Sequence, residues 1–541
     1  MSRAEAFLLT GVFAVFTLAY GALPWLAGGL FLDTHEGDSY HLLDILTRME
    51  GGQVPHLDFV TPLGLLAFWP ILVFMKAGFD TGMAMILAQW TVAVCLLPLV
   101  VYAAASRLAF KTALYFGVTT LGLALALSYG TATSGVGMSM HYNRWAWSVA
   151  FVVLLLVFVP SRTLARPMLD GLLVGVLIAL LFLLKVTYFV TLAPIAALAL
   201  AQMHGVRGVA FAALGGIVVA LVVTVQYGVG FWFAYLADLQ LVTSTDIRPY
   251  VGTSFDQIVA GPKYITATLV AVAAALVIRS VRQDLTGFAA FLLVPAFLYI
   301  SYQNFGNDPQ WLIFLPVLLL ALMPALGEAK VLGVDARQVG AFTVVAAFVV
   351  FFPSLFNIAM SPIKHLSYSQ ARFLPMVPEA AGHQDIFIRR DRAYMMTAQV
   401  YRDEEVGPWA KYAGEIGRRP TPEFQGVRFP HCEWMAGSRA LLETLGADLA
   451  VAGLPEDARL FTADLIAAYW FFAPVSPPQG SAPWYYGKLT GLENTDYVMV
   501  PKCAFATGVR NIVLGEMEAS DATFTLVRDN ALMALFRVGE G

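Results

Sequence analysis

Six acidic residues crowd one short polar stretch of this sequence, and carboxylates in such a place can transfer protons. They are Asp33, Glu36, Asp38, Asp44, Glu50 and Asp58. The stretch, 32–62, lies between long apolar runs, although only 13% of the residues in the chain are charged. Desolvation of a carboxylate beside a membrane is costly, so this cluster is the first candidate for chemistry. A carboxylate that faces a cavity there can accept the proton of a substrate hydroxyl.

The acidic stretch contains a pattern that is typical of a short helix. Its apolar positions recur at helical spacing: Leu42, Leu43, Leu46 and Met49. Gly51 and Gly52 follow as a helix end, which predicts a short amphipathic helix in the membrane interface with Asp38 at or near its N-cap. Two roles are then open for Asp38, capping the helix or accepting a proton from a substrate. Asp58 likewise either orients a substrate or is a solvated loop residue.

The elements that must position these residues belong to a membrane protein. The chain has 541 residues, of which 58% are hydrophobic, and a mean hydropathy of +0.69. Its apolar runs of about 20 residues match the hydrocarbon thickness of a bilayer. The net charge is −4 without any basic stripe, which argues against nucleic-acid binding. The first run, 7–32, exceeds a signal-peptide core and is expected to remain as an anchor.

Eleven apolar runs could cross the bilayer as helices. They are 7–32, 82–105, 112–129, 145–160, 169–184, 188–202, 209–227, 264–278, 287–302, 310–326 and 339–356. Segment 61–79 is also apolar, but Pro62, Gly64 and Pro70 interrupt it. If this segment is re-entrant or interfacial, every predicted cytoplasmic turn is basic, as the positive-inside rule requires. The N-terminus is then cytoplasmic, and the loop 33–80 lies outside together with the C-terminal part.

The C-terminal part has the composition of a soluble domain. Short apolar segments predict strands at 459–465, 496–501, 523–528 and 531–538, and residues 438–445 predict a helix. We therefore divide the chain into a membrane module, 1–356, and an α/β domain, 357–541. Cys432 and Cys503 fall in this domain, where they either form a disulfide or are buried small hydrophobic residues. No Cys/His spacing typical of a metal site occurs.

The first polar stretch resembles the first outer loop of GT-C glycosyltransferases that use lipid-linked sugars, such as the bacterial aminoarabinose transferases and the protein O-mannosyltransferases. The matching residues are Asp38, Tyr40, Gly51, Gly52, Pro55, Asp58, Phe59 and Pro62. A weaker likeness covers 171–194, where a lysine separates two apolar helices. The resemblance implies a polytopic α-helical, GT-C-like fold of about 11 transmembrane helices plus juxtamembrane helices, with a C-terminal extracytoplasmic α/β domain.

The resemblance also implies roles for individual residues. A first-loop acid is the catalytic base in that family, often beside a second acid, whereas here Gly37 separates Glu36 from Asp38, so both stay candidates. Lys185 either snorkels to the lipid phosphates or binds the phosphate of a lipid-linked donor. Arg144 either contacts phosphate or anchors the interface. The other candidates for substrate binding are Tyr40, His41, Asp58, His141, Tyr142, Arg248, Lys263, Asn304, Asn307 and Asp308.

These residues predict an inverting glycosyltransferase that moves a sugar from a polyprenyl-phosphate donor to a lipid, glycan or protein hydroxyl at the outer face of a bacterial inner membrane. Asp38 or Glu36 would accept the hydroxyl proton, and Lys185 and Arg144 would stabilise the departing phosphate. No cofactor is required, and a divalent metal held by the first-loop acids is the less favoured option.

Two rivals from other classes are kept open. A polytopic transporter or lipid flippase would also carry a few ions in its spans, but the sequence lacks the internal repeat that such proteins commonly show. A noncatalytic scaffold would predict that the first-loop acids are dispensable.

Overall fold

The computed structural model describes residues 1–132, 134–163, 165–244, 254–304, 307–400 and 421–539. Contacts within the chain divide it into two compact units. The first unit comprises Met1–Leu30, Leu63–Val229 and Arg248–Tyr368. The second comprises Phe31–Pro62, Gly230–Ile247 and Ser369–Gly541. The predicted division at residue 356 falls inside a helix that ends at Leu366.

The helices are α1 (Arg3–Ala22), α2 (Glu36–Glu50), α3 (Trp69–Lys76), α4 (Thr81–Arg107), α5 (Phe110–Leu125), α6 (His141–Phe158), α7 (Pro167–Leu184), α8 (Val186–Tyr227), α9 (Gly230–Ser244), α10 (Phe255–Ala260), α11 (Pro262–Val281), α12 (Leu285–Gln303), α13 (Phe314–Leu322), α14 (Ala336–Leu366), α15 (Arg390–Ala393), α16 (Ser438–Ala450) and α17 (Thr507–Glu518). The strands are β1 (Leu30–Leu32), β2 (Lys330–Val331), β3 (Val334–Asp335), β4 (Phe373–Pro375), β5 (Ile386–Arg389), β6 (Thr397–Val400), β7 (Glu423–Phe424), β8 (Val427–Arg428), β9 (Cys432–Ala436), β10 (Ala458–Thr462), β11 (Val475–Ser476), β12 (Tyr497–Pro501), β13 (Thr523–Asp529) and β14 (Met533–Gly539).

The first unit is a bundle of apolar helices. Among the described residues, eight helices are long and apolar enough to cross a membrane: α1 with the turn that follows it, α4, α6, α7, α8, α11, α12 and α14. The chain is therefore a multi-pass helical membrane protein. Each of the eleven predicted runs coincides with a helical segment, but α5 and the segment Gln310–Ala325 are shorter. The count of eleven spans stays a prediction.

Helix α8 contains two of the predicted runs, and glycine explains how they are joined. At Gly205 the backbone has φ 62° and ψ −162°, which interrupts the 42-residue helix. Beyond this point α8 packs closely on α7. A Cβ atom at Gly171 would lie 2.2 Å from the carbonyl oxygen of Gly208, and one at Gly175 would lie 1.8 Å from that of Ala212. Small residues are what allow two apolar helices to approach this closely.

Segment 61–79 forms a short turn and α3, which has eight residues. A helix of that length rises about 12 Å, less than half of a bilayer core, in agreement with the prediction that it does not cross. Gly64 packs against the end of α7 in the first unit. Its N–H donates to the carbonyl oxygen of Leu184 over 3.3 Å. A Cβ atom at Gly64 would lie 2.1 Å from the carbonyl oxygen of Leu183.

The second unit contains a five-stranded sheet with the order β11-β10-β12-β14-β13. Strand β10 pairs in parallel with β11 and β12, and β14 pairs antiparallel with β12 and β13. Apolar side chains of the sheet and α17 form its core, including Phe461, Val498, Val513 and Phe536. These strands and α16 confirm the predicted ones to within a few residues. Cys432 and Cys503 form a disulfide, which confirms the first of the two predictions for them.

Candidate functional site

The acidic first turn of α2 is the start of the candidate site in the second unit. The predicted helix is confirmed, but it begins at Glu36, and His35 occupies the N-cap with φ 59°. Asp38 therefore lies in the first turn rather than at the cap, and its side chain is partly exposed. Carboxylates in a first turn are stabilised by the positive end of the helix dipole.

Glu36, one of the two candidate bases, has an arginine partner in the second unit. Both carboxylate oxygens of Glu36 accept hydrogen bonds from Arg392, one of them over 2.8 Å from Nη2. This bond to Glu36 raises the pKa of the Arg392 guanidinium. A bidentate pair occupies both oxygens of a carboxylate. Glu36 is therefore held by Arg392, and the choice between Glu36 and Asp38 as the base stays a prediction.

The middle of α2 carries two buried charges, and its position in the membrane interface stays a prediction. Arg48 Nε lies 2.6 Å from Asp44 Oδ1, and the side chains of Asp44 and Arg48 are 0% and 1% exposed. Trp470 Nε1 donates to the second Asp44 oxygen over 3.1 Å, and Arg48 donates to the Ser481 hydroxyl over 3.1 Å. The polar face of α2 is thus buried, because its two charges neutralise each other and bind residues far along the chain. The apolar spacing of the helix does not reveal this pairing.

Two other predicted residues of α2 differ in how their polar atoms are used. Tyr40 is fully buried, its hydroxyl donates to the carbonyl oxygen of Met376 over 2.9 Å, and burial raises its pKa. This contact favours a structural role for Tyr40. His41 lies one turn beyond Asp38, and its Nε2 is 3.3 Å from the hydroxyl oxygen of Tyr486. His41 is partly exposed, so it can meet a ligand.

Asp58 organises its own loop in the second unit. Its Oδ2 accepts from the backbone N–H of Val54 over 2.7 Å, and its Oδ1 accepts from Gln479 over 3.3 Å. The backbone N–H of Gly480 donates to its carbonyl oxygen over 2.8 Å. These bonds give Asp58 a structural role in the loop 54–58, and the two predicted roles for it stay predictions.

A buried His–Asp pair stands in the same loop, and the sequence analysis missed it. His56 Nδ1 lies 2.8 Å from Asp238 Oδ2 in α9, and the same oxygen accepts from the N–H of Thr61 over 3.1 Å. The His56 ring stacks on Tyr235 with a centroid distance of 4.2 Å. Burial raises the pKa of Asp238. Among the described residues, His56 Nε2 is buried without a hydrogen-bond partner. The two residues are 182 positions apart, so only their types, not their spacing, could have signalled the pair.

In the first unit, a network joins several predicted residues at the break between α7 and α8. Lys185 Nζ donates to Asn304 Oδ1 and, over 3.3 Å, to the carbonyl oxygen of Gln303. It also lies 5.5 Å from the ring centroid of Tyr142. Asn304 donates to the hydroxyl of Tyr188 over 3.1 Å, and this hydroxyl donates to the carbonyl oxygen of Asn143 over 3.4 Å. Lys185, Tyr142 and Asn304 are therefore brought together, and their role in binding stays a prediction.

Arg144 follows Asn143 at the start of α6 and is 0% exposed. Its Nη1 donates to the carbonyl oxygen of Ser128 over 2.5 Å, and its Nη2 to Gln89 Oε1 over 3.4 Å. All of its hydrogen-bond acceptors in the described residues are neutral, as are those of Lys185. A desolvated cation without a counter-ion is costly, so the buried Arg144 and the part-buried Lys185 both suit an anion.

The remaining predicted residues have separate partners. The ring nitrogens of His141 face the carbonyl oxygens of Ala67 and Met138 at 2.7 and 3.2 Å, which favours a structural role. Lys263 pairs with Asp308 over 2.7 Å, and Ser354 also donates to Asp308. Asn307 is buried beside this pair, where its carbonyl oxygen accepts from Tyr264 over 3.5 Å. Arg248 lies outside the described residues.

A second buried charge cluster of the first unit was also missed. Asp170 accepts from Arg107 and from the Tyr102 hydroxyl, each over 2.7 Å, and its Oδ2 is 3.1 Å from His204 Nε2. The cluster joins the end of α4, the start of α7 and the region of α8 before Gly205. Its charges are paired with one another. The cluster therefore holds α4, α7 and α8 together and offers no unpaired charge to a ligand.

In the part of the chain that the structure describes, no three His, Cys, Asp or Glu side chains are grouped so that they could hold a metal ion. Metal independence itself stays a prediction. The chain matches no family model, no curated protein and no solved structure.

Proposed function

We propose that this chain is an inverting glycosyltransferase that moves a sugar from a polyprenyl-phosphate donor to an acceptor hydroxyl at the outer face of a bacterial inner membrane. The observation that carries the proposal is the kind of hydrogen-bond acceptor that Lys185 and Arg144 each have. In the described residues, these two cations of a membrane-spanning unit bind only neutral acceptors. A lipid phosphate supplies the missing negative charge in the place where a lipid-linked donor would be.

The chemistry of the network fits a phosphate leaving group. Lys185 is a compact cation whose Asn304 contact can be exchanged for a phosphate oxygen without leaving a buried charge unpaired. Arg144 offers a planar fork of N–H donors, and its Nε is buried without a partner among the described residues. When the bond to the anomeric carbon breaks, charge develops on the phosphate, and cations placed there in advance stabilise it.

Asp38 is our candidate for the general base. It would accept the proton of the acceptor hydroxyl while the hydroxyl oxygen attacks the anomeric carbon on the face opposite the phosphate. One displacement of this kind inverts the anomeric configuration. Glu36 instead pairs with Arg392, and we assign it to holding the first turn of α2 in place.

The disulfide supports an extracytoplasmic position for the second unit. Cys432 and Cys503 are joined there, and disulfides persist in oxidising compartments such as the bacterial periplasm. A cytoplasmic N-terminus and a periplasmic C-terminal part agree with this. The test is gel mobility under non-reducing conditions of protein purified from cells with and without a periplasmic oxidase: a reduced pair in both would contradict the orientation.

The decisive experiment measures sugar transfer from a panel of polyprenyl-phosphate hexoses and pentoses. We expect Asp38→Asn to lower the transfer rate by about 100-fold or more, the usual contribution of a general base. Glu50→Gln, at the exposed end of the same helix, is the matched control and should leave the rate unchanged. Full activity in both Asp38→Asn and Glu36→Gln would end the proposal. Vesicles that move lipid-linked sugar without consuming it would favour a flippase instead.

A further inference from the structure

Three aromatic side chains stand together in the second unit beside the first turn of α2. The His41 ring lies 5.3 Å from the ring centroid of Trp484 and 6.3 Å from that of Tyr486. All three side chains are partly exposed. We call this set the aromatic platform.

The backbone explains why these two aromatic residues face the same way. Trp484 bridges Ile466, and the N–H of Tyr485 donates to the carbonyl oxygen of Leu465 over 2.9 Å, so the segment is extended there. Successive side chains of an extended segment point to opposite sides. Tyr485 accordingly points into the core, where it is 5% exposed and donates to Glu516 over 2.6 Å. Trp484 and Tyr486 point to the other side, toward His41.

The platform is next to the proposed base because of helix geometry. Asp38 and His41 are three residues apart in α2, so they share one face of the helix. The residue between the two acids, Gly37, leaves room for the neighbouring segment. A Cβ atom there would already lie 3.4 Å from Ile466 Cδ1. A larger side chain would press on the segment that leads to the platform.

We propose that the aromatic platform binds the ring of a sugar, which makes the ligand of this site a saccharide; this rests on the proposed function. The C–H face of a pyranose or furanose is apolar and packs on an aromatic ring, while its hydroxyl groups reach the polar edges of such rings. The platform offers both, with the imidazole nitrogen of His41 3.3 Å from the Tyr486 hydroxyl oxygen. The sugar comes from the donor or from a glycan acceptor.

The test is a binding measurement that does not depend on transfer. Full-length protein in detergent is mixed with millimolar methyl glycosides of glucose, galactose, mannose, N-acetylglucosamine and arabinose, and saturation transfer to their ring protons is recorded by NMR. We expect a signal for at least one glycoside, reduced at least fivefold by Trp484→Ala. Trp25→Ala, an exposed tryptophan of the first unit, is the matched control and should not change the signal. Trp484→Leu keeps apolar volume without the ring and serves where Trp484→Ala does not fold.

Each outcome decides a different statement. No glycoside signal in the wild-type protein, or an equal signal in the folded tryptophan variants, overturns the platform. Saccharide binding that depends on Trp484 in a protein that transfers no sugar keeps the platform and removes the glycosyltransferase. If transfer occurs, a raised KM for the donor in Trp484→Ala assigns the bound ring to the donor sugar. A raised KM for the acceptor assigns it to a glycan acceptor.

Discussion

Two carboxylates of the second unit and two cations of the first unit are satisfied in different ways. Glu36 and Asp44 have arginine partners in their own unit, Arg392 and Arg48. Arg144 and Lys185, in contrast, are held by carbonyl and amide oxygens in the described residues. A paired charge stabilises the fold and has little left for a ligand, whereas a cation with neutral partners can exchange them for an anion. A charged side chain therefore does not by itself indicate a ligand-binding site. Whether its hydrogen-bond partner is charged or neutral is the more useful indicator.

Breaking a paired charge should have the largest effect on stability. Replacing Asp44 by Asn leaves Arg48 buried without a counter-ion, and removing one partner of a buried pair costs about 3–5 kcal/mol. We expect a clear loss of thermal stability of the purified protein, followed by tryptophan fluorescence. The double variant Asp44→Leu with Arg48→Met removes both charges and should recover most of the loss. Equal stability of Asp44→Asn and wild type would contradict the comparison.

Removing a cation that has only neutral partners should act on binding instead. We expect Lys185→Met to weaken binding of a polyprenyl phosphate at least tenfold, because one charge-assisted contact to the phosphate is lost. Its thermal stability should stay equal to wild type or rise, since a desolvated charge is removed. Lys364→Met, in the last turn of α14, is the matched control and should leave binding unchanged. Unchanged affinity in Lys185→Met would leave the phosphate site without support.

Breaking the His56–Asp238 pair should cause a smaller loss of stability, and two substitutions of His56 should differ in how much they lose. The amide nitrogen of asparagine can replace Nδ1, so His56→Asn should keep the bond to Asp238, whereas glutamine places its amide nearer the position of Nε2. We therefore expect His56→Gln to lose about 1–3 kcal/mol of stability, the cost of a hydrogen bond to a charged group, and His56→Asn to lose less. The measurement is chemical denaturation followed by fluorescence. The reverse order would show that Nε2, not Nδ1, is the important atom.

The smallest expected effect is a pH dependence of the second unit. Asp464 accepts N–H bonds from Leu465, Phe505 and Ala506, yet burial raises its pKa from 3.8 to about 6. The folded state then binds this proton more tightly than the unfolded state does. The contribution of Asp464 to stability is therefore present below about pH 4 and is lost as the pH rises through about 6.

We expect Asp464→Asn to remove this decline when unfolding is followed from pH 4 to 7. Asp496 is a control of opposite sign, because its hydrogen bond to Arg459 lowers its pKa. Its contribution is lost only as the pH falls below about 4, so Asp496→Asn should leave the decline between pH 4 and 7 unchanged. A wild-type profile that matches the Asp464→Asn profile would contradict the assignment.

Local patterns in the sequence predicted individual elements well. The hydrophobic runs, the helix that ends before Gly51 and the strands of the C-terminal part depend on neighbours a few residues away, and each is found in the structure. The approach of Lys185 to Tyr142 and Asn304 could be anticipated as well, because all three stand at helix ends. The missed features are pairs of distant residues. Nothing near His56 signals Asp238, and nothing near Glu36 signals Arg392.

The sequence by itself determined that the chain crosses a membrane many times and carries a soluble α/β part with two cysteines, because apolar length and local periodicity are properties of contiguous residues. Only the tertiary structure decided which charges are neutralised. It paired Glu36 with a residue 356 positions away, and it left Arg144 and Lys185 with neutral oxygens in the described residues. Partner choice over such separations depends on how the folded chain packs, and packing brings together residues that no local pattern connects.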